Sequence, residues 1–298
     1  MNMTTMGRLI AMKRVRNILL LVAIDGSESS KNALRQSIRF ARDHHCGVTA
    51  VTVIPSYEGD IDLIGVRNIR EAFKEPGEKV LEEARKIATQ EGVEIYTFLE
   101  EGNIHEAIID VAQSRDCDLI VMGRRGLTGI ERVLMGSVTA RVIGYSPIDV
   151  LVMPEKSVIK WGKILLAVDG SKYSDVAASR AITFAQTYGR TLDILSVVDV
   201  PPEAYGEAPD FVDKMVEKAR EIAETVENTA KVAKISATSF VRDGDAPEKI
   251  LDLAKKLESD VIVMGSHGHT GLKRLLMGSV TERVIGHAPC PVLVVKSS

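Results

Sequence analysis

The chain has 298 residues, of which 45% are apolar and 27% charged, with a formal net charge of −3. That length suits two domains of ordinary size, and the balance is that of a folded globular protein, not a disordered one. It excludes the strongly basic footprint of a nucleic-acid binder, and three scattered cysteines, Cys46, Cys117 and Cys290, argue against a disulfide framework or a thiolate metal centre and suit a reducing cytoplasm.

At the start, Arg8, Lys13, Arg14 and Arg16 precede an apolar run over 18–24, an arrangement that imitates a signal peptide. The run ends in Asp25 instead of a small-residue cleavage site, and it recurs mid-chain over 164–168 followed by Asp169. Both are therefore expected to be first strands buried on two faces. No run reaches the ~18–20 apolar residues of a membrane-spanning helix. Residues 1–11 have no counterpart ahead of the second run, and read as a loose tail or as an over-extended start with Met12 as the initiator.

After the first strand, Ser27 or Ser29 is placed to cap a helix running to about residue 45. A strand over 48–54 is ended by Pro55, and a long polar loop (55–70) leads to a helix near 78–91. A strand over 93–99, a helix over 104–114 and a strand over 119–122 follow. A glycine-rich loop then opens a helix from about 137 to 144, and 150–153 is the last strand. A short linker, 154–162, holds the single tryptophan, and the same plan repeats through a strand over 292–295. In that second pass a long loop is expected over 199–212, and the charged stretch 213–234 has the apolar spacing of an amphipathic helix.

The repetition is visible in the residues. "LLVAIDGSESS" (20–30) answers to "LLAVDGSKYS" (165–174), and the stretch 118–145 answers to 260–287 with about two-thirds of positions identical. Two domains, 12–154 and 162–298, follow from this, joined as a covalent pseudo-dimer. Strand–helix alternation implies doubly wound α/β domains with parallel sheets, whose ligands bind at the carboxyl ends of the strands where the strand order reverses.

Two features fall at those ends in both copies. One is the aspartate closing the first strand, Asp25 or Asp169. The other is the loop after the fourth strand, which reads Gly123-x2-Gly126-x9-Gly136-Ser137 and Gly265-x2-Gly268-x9-Gly278-Ser279. Glycines there allow positive φ and close backbone approach to an anion, and the final Gly-Ser opens a helix whose amino end favours phosphate. The hydroxyls of Ser137, Thr139, Ser279 and Thr281 are further donors. Neither GxGxxG after the first strand nor GxxxxGK[ST] occurs, and three spaced glycines also suit plain tight turns; the identical spacing in two copies, with the paired aspartates, favours a ligand. Gly265→Ala is then expected to weaken that binding while leaving the fold intact. Arg124 and Arg125 stand where the second copy has Ser266 and His267. They either add charge for phosphate, with Arg124 counted among the binding residues, or block the pocket, or turn to solvent.

The GxxGx9G[ST] motif, with "VAIDGS", "AVDGS" and the closing "HAPCPVLVV" (287–295), resembles the universal stress protein family over nearly the whole chain, once per copy. The resemblance implies the ATP-binding branch of that family, with Mg²⁺ accompanying the nucleotide. It implies a five-stranded parallel sheet in the order 3-2-1-4-5, paired through the last strand, here within one chain and open to further homodimerisation. Adenine is then expected near Val53 and Val197, and the nucleoside at Ala23 and Asp25, or Ala167 and Asp169. Val138 and Val280, beside the glycines and serines of each motif, are expected at ribose and phosphates. The second copy keeps the family-like "SHG" (266–268) and both prolines of its last strand, and its loop His267 is read as a phosphate donor.

No catalytic set emerges: Ser27 and Ser171 lie in no GxSxG elbow, and His267 with His269 lack the further ligands of a metal site. The function expected is that of a nucleotide-dependent regulatory or stress-response protein with an unknown protein partner. The alternatives are a non-nucleotide dimerisation scaffold or a weak ATPase.

Overall fold

The computed structural model describes residues 18–56, 69–126, 135–188, 191–200, 203–269 and 276–297. The first half runs β1 (Leu19–Ala23), α1 (Glu28–His44), β2 (Gly47–Ile54), α2 (Ile69–Gln90), β3 (Tyr96–Glu101), α3 (Ile104–Ser114), β4 (Leu119–Gly123), α4 (Ser137–Tyr145) and β5 (Asp149–Met153). The second runs β6 (Lys163–Val168), α5 (Lys172–Thr187), β7 (Thr191–Val198), a single turn α6 (Ala204–Glu207), α7 (Pro209–Val232), β8 (Ser236–Asp243), α8 (Ala246–Leu257), β9 (Val261–Gly265), α9 (Ser279–His287) and β10 (Val292–Val295).

Each half is a parallel sheet in the expected order 3-2-1-4-5, and the halves join into a ten-stranded sheet, β3-β2-β1-β4-β5-β10-β9-β6-β7-β8. The join is antiparallel, with Val152, Leu151 and Val150 opposite Val292, Leu293 and Val294. The near-continuous apolar runs of the inner strands follow from this, because successive side chains face opposite helical layers and both layers are dry. Leu20, Leu151, Leu166 and Leu293 pack with α1 and α5 residues such as Leu34 and Ala177 on one face. Leu21, Ile120, Leu165 and Ile262 pack with Ile109, Ile143, Ile250 and Ile285 on the other. Both cores cross from one half to the other.

Local chemistry sets the helix ends. Ser27 and Ser171 are the N-caps, each accepting the amide of the third residue on. His45 closes α1 in the left-handed region at φ 55°. The linker is packed, not loose: Trp161 is buried and stacks on Phe184 with ring centroids 4.4 Å apart, and Asn32 donates to the Ser157 carbonyl at 2.9 Å. Across the join, Asp149 is buried beside Arg180 Nε at 2.7 Å and accepts the Lys296 amide at 2.9 Å.

Two expectations change. The helix expected near 78–91 begins at Ile69 and carries Pro76 inside it. The helix thus takes in part of the expected polar loop and runs through a proline, a residue usually confined to a first helical turn because it has no amide to donate. The loop expected over 199–212 holds α6 and the first turn of α7. The polar loop's residues 57–68, and residues 1–17, lie outside the described residues.

Leu151 is 1% exposed. Leu151→Ala is expected to cost about 2–5 kcal/mol in denaturant unfolding, whereas Tyr96→Ala, at a side chain 71% exposed, stays within about 0.5 kcal/mol.

Candidate functional site

In the first half, β1 and β4 are neighbours while their connections leave to opposite sides, so a crevice opens where the order reverses. A cavity of about 510 Å³ lies there. Its strand-end wall includes Ala23, Asp25, Val53 and Gly123, and its loop and helix wall includes Gly126, Gly136, Ser137, Val138 and Thr139. Pro76, Gly77 and Val80 of α2 form a further side that the glycine motif gave no reason to expect, because these residues reach the crevice only through the fold. A depression of about 540 Å³ lies elsewhere, over α3 and α4 between His105, Asp110, Arg141 and Tyr145; no strand end contributes to it.

Asp25 is held from its own turn: Oδ1 accepts the Ser27 amide at 3.0 Å and the Ser27 hydroxyl at 2.6 Å. Asp169 accepts the Ser171 amide at 2.9 Å in the same way. The turn is made by Gly26 and Gly170, at φ +85° and +79°.

The motif glycines themselves are not in the positive-φ region, contrary to the expectation. Two pairs are glycine because of what lies against them. A Cβ on Gly126 would stand 2.5 Å from Asp25 Oδ2, and one on Gly268 would stand 2.7 Å from Asp169 Oδ2. A Cβ on Gly123 would meet Ser29, with its backbone carbon at 2.9 Å, and one on Gly265 would meet the Tyr173 Cβ and backbone at 2.8–2.9 Å. Gly136 and Gly278 are different. They have negative φ of −65° and −70°, and an added Cβ would find its nearest neighbours at 3.7 Å and 3.4 Å, ordinary contact. Packing does not require glycine at either place.

Gly136 and Gly278 are the N-caps of α4 and α9, and neither helix start has a side-chain cap. Their first amides therefore lack an acceptor from a capping side chain, and the start of α4 lines the cavity. Ser137 and Ser279 are exposed. The Thr139 and Thr281 hydroxyls are committed differently from the expectation. They donate to the carbonyls of Gly123 and Gly265 at 3.1 Å and 3.0 Å, tying each strand end to its helix.

The arginines divide. Arg124, counted among the binding residues from the sequence, does not line the cavity: its Nη1 reaches the carbonyls of Ala288 and Ile285 in the second half, at 3.2 Å and 3.5 Å. Burial, with Arg125 beside it, lowers the Arg124 pKa from its ordinary value. Arg125 lines the cavity, and its Nε is buried without a hydrogen-bond partner among the described residues. Alternation at two adjacent loop positions decides which arginine faces which way, and a single sequence does not reveal it.

In the second half, Ala167, Asp169 and Val197 stand at the ends of β6 and β7, with Gly265, Gly268 and Gly278–Thr281 beside them. His269 Nε2 lies 2.6 Å from the Asp169 carbonyl. His267 shares a hydrogen bond with Ser266 at 3.2 Å and tilts against the Tyr173 ring, so its ring engages the start of α5. Residues 270–275 lie outside the described residues. None of the three cysteines is in a disulfide; burial pushes Cys46 up to about 11, with Asp118 adding to it, and Cys290 to about 12, with Asp260 adding to it. At neutral pH Cys46 and Cys290 supply little thiolate. Among the described residues no group of three or more His, Cys, Asp or Glu could hold a metal ion, and no helix is long and apolar enough to cross a membrane.

The fold and these clefts define a tandem, doubly wound α/β protein with a ligand-sized crevice at a topological switch point. The model of the universal stress protein family matches residues 19–154 and again 160–296, and the chain belongs to that family. It is 38% identical to Universal stress protein MJ0531 of Methanocaldococcus jannaschii over 45% of this chain and 81% of that protein. It is 27% identical to a universal stress protein of Mycolicibacterium smegmatis over 93% of this chain and 96% of that one. Its fold matches the crystal structure of a universal stress protein from Archaeoglobus fulgidus with a TM-score of 0.73 at 23% identity, over 94% of this chain and 96% of the other.

The close contacts at Gly265 change the mutational expectation. Gly265→Ala should lower the thermal unfolding midpoint of the ligand-free protein by several degrees, whereas Gly278→Ala should leave it within about two degrees. Equal midpoints would remove the packing role assigned to Gly265.

Proposed function

We propose that each half binds an adenine nucleotide, ATP with its Mg²⁺, and that the chain acts as a nucleotide-dependent regulatory protein of the cytoplasm. The observation that carries this reading is the cavity of about 510 Å³ that closes on the uncapped amino end of α4. Its size is in the range of cofactor sites, and a helix start offers amides and partial positive charge to phosphate. Gly136 supports it too: packing leaves that position open, and glycine there keeps a side chain out of the cradle. Arg125, with a buried Nε lacking an acceptor, supplies the positive charge at the first site. Val53 and Ala23 would border the base and nucleoside, and Asp25 the ribose. Mg²⁺ would ride on the phosphates, because the described residues offer no cage of their own. In the second half, Ala167, Asp169, Val197, Gly268 and Gly278–Val280 would play the matching parts. Occupancy would then change the surface offered to a protein partner.

Freshly purified protein, denatured and examined by mass spectrometry, is expected to release close to two ATP per chain. Absence of binding in calorimetric titration with saturating Mg-ATP would overturn the reading. Gly136→Val, which puts a branched side chain into the cradle, should weaken ATP at the first site at least about tenfold. Arg125→Ala should weaken ATP there by about tenfold while leaving adenosine binding nearly unchanged, since only the phosphates need the cation.

A further inference from the structure

Each glycine loop rests on the carboxyl-terminal end of the other half's phosphate-side helix. The antiparallel pairing of β5 with β10 causes this, because it sets the end of α9 beside the loop after β4. Arg124 Nη1 lies 3.2 Å from the carbonyl of Ala288, the C-cap residue of α9, and 3.5 Å from that of Ile285 in its last turn. Last-turn carbonyls have incomplete partners and carry the negative pole of the helix, so a guanidinium there holds the helix end. The backbone of the same residue is fixed in the first site: its carbonyl accepts the Gly136 amide at 2.9 Å, and its amide donates to Met153 at 2.9 Å. In the reverse direction, Gly144 in the last turn of α4 abuts Leu276, two residues before Gly278; a Cβ on Gly144 would stand 2.5 Å from Leu276 Cδ2 and 3.1 Å from its Cα.

We infer that Arg124 is a positioning residue for the second half's site, joining the first glycine loop to the helix whose amino end is the second phosphate cradle, so that the two sites fill as a coupled pair. The inference rests on the nucleotide reading above. A nucleotide that fixes the first loop holds Arg124 on the α9 carbonyls, and the second nucleotide then meets a helix already ordered; the coupling is positive and, in binding affinity, reciprocal. The second half has Ser266 at the matching position, buried and bonded to His267; its cation on the end of α4 is Lys296, which donates to the Ile143 carbonyl from beyond β10 and not from the glycine loop.

The test is calorimetric titration of the full chain with Mg-ATP, alongside Gly136→Val and Gly278→Val variants that each leave one working site and so give its intrinsic affinity. In the unsubstituted chain the second nucleotide is expected to bind at least about fivefold tighter than at the same site in the single-site variants. Arg124→Ser, which installs the second half's residue, should bring that factor to within about twofold of unity, and Arg124→Lys, which keeps a cation at the helix end, should restore part of it. Independent filling of two sites in the unsubstituted chain, or an undiminished factor in Arg124→Ser, overturns the inference and leaves nucleotide binding standing. A chain that binds no nucleotide at all overturns both.

Discussion

Where β5 and β10 run side by side in opposite directions, each supplies the hydrogen-bond partners that the other's outer edge would otherwise leave to water. The pairing merges two half-sheets and lets one apolar layer continue across each face of the molecule. It also reverses the strand direction, so the carboxyl edges of the two halves point opposite ways. A helix that starts at one crevice therefore ends near the loop of the other. The buried Asp149, held by Arg180 and by the Lys296 amide, sits at the same join. Both of these partners of the buried carboxylate come from the second half of the chain.

Within each half, close approach of the main chain decides where glycine is needed. Two of these contacts, Gly126 on Asp25 and Gly268 on Asp169, recur with nearly the same distance in both halves. They set Gly126 and Gly268 close against the first strand's aspartate, whose own turn bends at Gly26 or Gly170. Beyond the loop, the following helix starts at Gly136 or Gly278.

Much of this was legible from the residues alone. Apolar runs such as 18–24 and 119–122 have too little polarity for a half-exposed strand, and their recurrence fixed the tandem plan. Asp25 and Gly126 stood out because both lie at strand ends, where ligands of such sheets gather. What stayed hidden depended on distances across the fold. Nothing in the motif distinguishes Gly265, pressed against Tyr173, from Gly278, which has room. Arg124 and Arg125 are adjacent and identical in type, yet one spans the join and the other faces the cavity. The contribution of Pro76, Gly77 and Val80 depends on how α2 returns over β2, which no local pattern in the residues shows.

Fusion of the halves has altered what a substitution at the join can do. In a two-fold dimer of identical subunits every interface residue is present twice, and an acid on one side must tolerate its own copy on the other. Here Arg180 answers to Gln36, Asp149 to Pro291 and Arg124 to Ser266. Each of these groups occurs once and faces a partner of different chemistry. A single covalent chain thus lets each half hold the other's helix end with its own cation, Arg124 on the carbonyls of Ala288 and Ile285 and Lys296 on that of Ile143.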